Sequence, residues 1–243
     1  MLDASFKVSG GFLLNENVCI TRLTLGREKI PLLIIDNFVR DPDALIDAAG
    51  GGGFAPDGQN FYPGKRKPAP KSYARQLSGI FLSHFKAAFG LDNAVHARTL
   101  ASTFAISDTP LQQLRPIQML PHFDTCDSHQ FALVHYLCGE EHGGTSFYRH
   151  RRTGFETISE SRLAEYGPQL KQQAIAGQLH KNPAYINGSN DLFEQIFSVD
   201  AAMNRMIIYP SKALHSGNIN PDLGLSSEPK QGRLTISSFI VVE

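Results

Sequence analysis

The triplet His122-Phe123-Asp124 sets an imidazole and a carboxylate two positions apart, and His215 and Arg233 follow far downstream. In an extended chain, side chains at i and i+2 project to the same side, so His122 and Asp124 can reach one ion together. His215 follows Met206-Ile207-Ile208-Tyr209, whose β-branched and aromatic content reads as a strand that can deliver a third ligand. Two imidazoles and one carboxylate would cover one face of an octahedron and leave the opposite face open. That arrangement suits Fe(II) and small ligands such as O2.

With nine histidines and 23 acidic residues, roughly one H-x-[DE] match arises by chance, so the surrounding elements must carry the argument. Phe131 to Leu137, the Gly143-Gly144 turn and Thr145 to Tyr148 read as two strands joined by a tight connection. Phe193 to Val199 and Arg205 to Tyr209 read as further strands, and Gly232 to Ile240 as a last one with Arg233 at its start. The first thirty residues give short alternating segments suited to edge strands, and residues 96–148 are strand-rich. Asp41 is a good N-cap with Pro42 at the first helical position, so a helix is expected to about Ala49, ended by Gly50 to Gly53. Tyr73, Leu77, Phe81, Phe85 and Phe89 recur at helical spacing, with Gly90 as the terminator, and should pack on the outside of the sheet. Residues 159–179 return to helical composition, interrupted at Gly167-Pro168, as an insertion between strands.

The ordered series PHFD, FALVHYL, GGTSFY, MIIYPSKALHSGNI and GRLTISSFI resembles the 2-oxoglutarate/Fe(II)-dependent dioxygenase superfamily, on its prolyl-hydroxylase-like side. Ile30 to Phe38, running into Asp41-Pro42-Asp43, is similar to the opening strand and helix of that group. The resemblance implies a mainly β fold with flanking helices around a double-stranded β-helix (jelly-roll, cupin-like) core. It implies that His122, Asp124 and His215 hold Fe(II), that 2-oxoglutarate and O2 are cosubstrates, and that Arg233 pairs with the distal carboxylate of 2-oxoglutarate. Tyr136 corresponds to a tyrosine that in some relatives donates to the same carboxylate. A guanidinium fork suits bidentate carboxylate recognition. Arg233 lies 18 positions after His215, farther than in many relatives, and the stretch with Pro221, Gly224 and Pro229 can absorb the excess as a loop. Arg233 is therefore favoured over Lys230 or Arg205.

A chain of 243 residues with 42% hydrophobic content can bury one substantial core, and a single domain over 1–243 is expected. Residues 1–95 would support a core formed by residues 96–243. Lysine plus arginine and aspartate plus glutamate balance at 23 each, which gives no electrostatic argument for nucleic acid or membrane as a partner. No apolar run of ~18 residues and no signal-type N-terminus is present, so a cytoplasmic protein is expected. Cys19, Cys126 and Cys138 form no C-x-x-C pair and read as reduced, mostly buried thiols.

The other histidines read as structural, His135 and His84 on apolar stripes and His129 and His142 in loops. Residues 50–70, opening with four glycines, read as an irregular cover over the pocket. Phe54, Phe61 and Tyr62 would close on substrate, with Lys65 to Lys67 at the rim. Phe61, Tyr62 and Arg149 are the candidate substrate contacts, although basic clusters of this kind are more often solvated surface. The substrate would be a small molecule or a peptide side chain. A nucleic-acid demethylase is disfavoured because Phe239 stands where those enzymes carry a second arginine, six positions after the first. A cupin-like metal barrel without oxygenase activity is the other alternative, and the absence of H-x-H argues against it.

Overall fold

The computed structural model describes residues 12, 14–56, 61–223 and 225–243. Its elements run β1 (Cys19–Leu25), β2 (Ile30–Asp36), α1 (Pro42–Ala49), β3 (Ala55–Pro56), β4 (Lys65–Pro68), α2 (Lys71–Ile80) and β5 (Ala97–Ile106). They continue with β6 (Gln130–Tyr136), β7 (Thr145–His150), α3 (Glu160–Ala176), β8 (Phe193–Val199), β9 (Arg205–Pro210), β10 (His215–Gly217) and β11 (Leu234–Val242). Strands pair antiparallel throughout, in a large sheet of order β1-β2-β9-β6-β11-β5-β4-β3 and a small sheet of order β10-β7-β8. The protein is mainly β with a few flanking helices, and no described helix is long and apolar enough to cross a membrane.

The period of two in the central strands decides which core each side chain enters. Along β2, β6 and β9, the residues Leu33, Ile35, Phe131, Leu133, Met206 and Ile208 face α1 and α2 in one cluster. The alternate positions Leu32, Ala132, Tyr136, Ile207 and Tyr209 face the small sheet, where they meet Phe147 and Val199. The Phe147 and Tyr209 rings lie 5.0 Å apart edge to face, which fastens one sheet to the other. Strands buried on both faces explain why these runs are nearly continuously apolar.

Both N-terminal helices follow their sequence signals. The Asp41 carboxylate accepts from the Ala44 amide at 3.0 Å, Pro42 opens α1, and the Gly50 amide closes it on the Asp47 carbonyl. The aromatic stripe beyond α2 continues through a π turn at Phe81–Phe85 and a short 3-10 turn to Gly90, which takes a left-handed φ of 69°. It packs on the sheet through Phe81 and Phe89 against Phe131.

Four expectations need correction. Residues 50–70 are not irregular throughout, because β3 and β4 add to the edge of the large sheet, with Lys65 opposite Ile106 and Arg66 opposite Ala105. Ladder pairing to β5 outweighs local composition there, and residues 57–60 lie outside the described set, as do 1–11 of the N-terminal edge segments. The helix after β7 runs unbroken through Pro168, since Tyr166 on one side and Leu170 and Ala174 on the other dock into the same apolar cluster. β6 and β7 do not form a hairpin; the chain crosses from the large sheet to the small one between them. Cys19 is exposed rather than buried, while all three cysteines are free.

Candidate metal centre

His215 opens β10, and its backbone exchanges two hydrogen bonds with His122, at 2.9 and 2.8 Å. The His122 segment is therefore not a strand of a regular ladder, as the sequence suggests, but an extended stretch held by one isolated bridge at the end of the small sheet. The Asp124 amide donates to the Ser211 carbonyl at 2.8 Å, which fixes the second tie two residues on. These bonds orient the triplet so that His122 Nε2 lies 3.9 Å and His215 Nε2 3.8 Å from the Asp124 carboxylate oxygens. One donor atom from each of the three residues falls within 4.8 Å of the others. Cis ligands ~2.1 Å from an ion stand ~3 Å apart, so small rotations suffice for all three to share one.

The protonation states suit a cation. His215 Nδ1 is 2.9 Å from the Ala213 carbonyl, so it carries the proton and leaves the Nε2 lone pair toward the site. Burial lowers the His215 pKa to about 4, against a smaller opposing effect of that hydrogen bond. Burial, then His215, pushes His122 down too, with Asp124 pulling it up. Because 54% of the His122 side chain opens to the cavity, water there offsets part of its burial. Burial raises the Asp124 pKa to about 6, opposed by His122 and Arg66. Two neutral imidazoles beside a poorly solvated carboxylate form a donor set that a divalent ion would stabilise.

Arg233, just ahead of β11, is 4% exposed. Its Nε donates to the Gly143 carbonyl at 3.0 Å and one terminal nitrogen to Gly144 at 2.8 Å. Its guanidinium carbon sits 5.8 Å from the centre of the Tyr136 ring. These contacts aim the side chain into a cavity of about 1040 Å³ that His122, Asp124, Ser216 and Gly217 also line. Its walls are mostly apolar and aromatic, from Leu120 and Phe123, Tyr166 and Leu170 of α3, Tyr185 and Phe239.

A family model matches residues 16–240 of this chain. The chain belongs to DUF6445, a family of unknown function. No curated protein matches it. Among solved structures, it is similar to HygX from Streptomyces hygroscopicus, a structure with nickel, 2-oxoglutarate and hygromycin B bound, at 11% identity and a TM-score of 0.44, covering 86% of this chain and 82% of that one. It is also similar to EvdMO1 at 13% identity and a TM-score of 0.36, covering 95% of this chain and 56% of that one.

In this DUF6445 protein His122, Asp124, Arg233, Phe61 and Tyr62 all border one cavity, and His215 lies buried behind it, with its donor atom close to those of His122 and Asp124. Tyr136 does not border it; its hydroxyl is held by Thr145 at 2.6 Å, and its ring supports Arg233 from below. Arg149 is withdrawn as a substrate contact, because its buried guanidinium pairs with Glu156 and Glu194. Arg205 binds Asp36 and Lys230 binds Asp47, and neither borders the cavity. Phe54 packs on the larger core instead of the pocket, and Lys67 donates to the last carbonyls of α1. Sequence reasoning set Lys65 to Lys67 at the rim without singling out Arg66, the one of the three that borders the cavity, and it missed the α3 wall. The alternation of Lys65, Arg66 and Lys67 along β4 was the available signal, since it sends Arg66 to the face opposite its neighbours.

Proposed function

We propose that this protein is a metal-dependent, 2-oxoglutarate-dependent oxygenase that hydroxylates a small molecule or a peptide side chain. His122, Asp124 and His215 would hold Fe(II), and Arg233 would pair with the distal carboxylate of 2-oxoglutarate. The observation that carries the reading is the convergence of three ligand-type side chains, two of which, His122 and Asp124, border a cavity that Arg233 also borders. Strand order supports a double-stranded β-helix core. From β5 onward the chain visits the large sheet, the His122 bridge, then β6, β7, β8, β9, β10 and β11, eight extended segments divided between the two sheets.

Fe(II) with 2-oxoglutarate would supply O2 activation coupled to oxidative decarboxylation. The chain's own part is binding and positioning. The Ala213 carbonyl fixes the His215 tautomer, and the His122–His215 bridge holds both rings on one side. Gly143 and Gly144 hold Arg233 in register, and the apolar walls would exclude bulk water from the reacting groups once substrate fills the cavity.

An anaerobic Mn(II) titration followed by 2-oxoglutarate, and then succinate release with Fe(II), ascorbate and air, tests the reading. Stoichiometric Mn(II) binding is expected in the parent and its loss in His122→Ala and His215→Ala. Unchanged metal binding in both variants would sink the assignment.

A further inference from the structure

We propose that the substrate is an apolar or aromatic organic acid whose carboxylate is held by Arg66. The proposal rests on the cavity and oxygenase reading above and names the substrate class of that same site. Arg66 borders the cavity, and its guanidinium lies over the Tyr62 ring, 4.8 Å from its centre. Tyr62 is itself tied to Ser107 at 2.8 Å. The Arg66 Nε is shielded from solvent and has no hydrogen-bond partner, and among the described residues no carboxylate pairs with the side chain. A half-buried guanidinium without a counter-charge is partly desolvated, and an anion meeting its terminal nitrogens from the cavity would recover part of that cost.

The charge balance of the cavity agrees. Arg66, Lys171 and Arg233 border it, and Asp124, assigned to the metal, is the only acidic group among the described lining residues. With 2-oxoglutarate at Arg233, a basic substrate would still meet Arg66 and Lys171 there, and a neutral one would leave Arg66 unpaired. The remaining surface is apolar and aromatic, so the body of the substrate should be too. At about 1040 Å³ the space lies at the top of the range for small-molecule sites, enough for 2-oxoglutarate at Arg233 and a second small molecule at Arg66.

Calorimetric titration of the whole protein with naphthalene-2-carboxylate and with naphthalene-2-carboxamide tests this. The two probes share a body and differ in charge. In the parent the acid should bind about tenfold or more tighter than the amide. Arg66→Gln should bring that ratio near one, Arg66→Lys should restore part of it, and Arg233→Gln should leave it intact. 2-Oxoglutarate affinity, measured in parallel with Mn(II), should fall in Arg233→Gln and hold in Arg66→Gln. An acid that binds no better than its amide, including where neither binds, overturns the proposal, as does a ratio that survives Arg66→Gln or collapses only in Arg233→Gln. Failure of 2-oxoglutarate to bind the parent at all would instead sink the oxygenase reading, while the Arg66 ratio would still stand or fall by itself.

Discussion

Arg233 and Tyr136 divide a task that sequence comparison would assign to both. The Tyr136 hydroxyl is occupied by Thr145, whereas Arg233 reaches the cavity with two of its nitrogens already anchored on backbone carbonyls. A guanidinium held in this way loses little freedom when it meets a carboxylate. Arg233→Ala should therefore weaken 2-oxoglutarate binding by about 2–5 kcal/mol. Tyr136→Phe keeps the ring beneath Arg233 and should leave that affinity close to the parent's. Calorimetry with Mn(II) present checks both, and a large loss in Tyr136→Phe would return the hydroxyl to a direct role.

At the level of elements, the connection from β6 to β7 couples sheet crossing to the site. Gly143 has φ of 79°, and a side chain there would meet the Asn218 carbonyl oxygen at 1.5 Å. A Cβ on Gly144 would lie 1.8 Å from the Val199 carbonyl oxygen. The chain can pass this close to both neighbours only without side chains, and the carbonyls it presents there are those that hold Arg233. Gly144→Ala should cost about 1–3 kcal/mol of stability by overpacking and also weaken 2-oxoglutarate binding as Arg233 loses its anchor. Urea unfolding beside a 2-oxoglutarate titration reads the two effects. Parent-like values in both would show that this crossing tolerates a side chain.

For the whole molecule, His135 sets a pH dependence remote from the metal site. It is fully buried between Tyr73, 3.1 Å from Nδ1, and Asn204, 3.1 Å from Nε2. Burial lowers its pKa to about 4, partly opposed by the Asn204 hydrogen bond. Because the folded value lies below the unfolded one of about 6.5, the unfolded chain takes up the proton first. The stability is therefore fully present above about pH 6.5 and is lost as pH falls toward 4, by up to ~3 kcal/mol. Urea unfolding at pH 7.5 and 5 should show the drop. In His135→Phe, less stable at neutral pH because Tyr73 and Asn204 lose their partner, the drop should shrink. An undiminished drop would assign it to other groups.

The sequence by itself determined the local matters. Runs of β-branched and aromatic residues marked β2, β6, β9 and β11, Asp41-Pro42 and Gly90 marked the helix ends, and the H-x-D spacing with a distal histidine marked three residues that do converge. These follow from neighbouring residues, whose spacing decides face and capping without reference to the rest of the chain. Tertiary structure decided which of these basic residues borders the cavity, since Arg205, Lys230 and Arg149 are each paired with a carboxylate away from it, whereas Arg233 and Arg66 have none among the described residues. It also decided that Lys65–Pro68 joins a sheet and that α3 runs through Pro168, because ladder partners and a shared apolar cluster outweigh local preference. Contacts across more than a hundred positions of sequence, such as Arg205 with Asp36, leave no trace in local pattern.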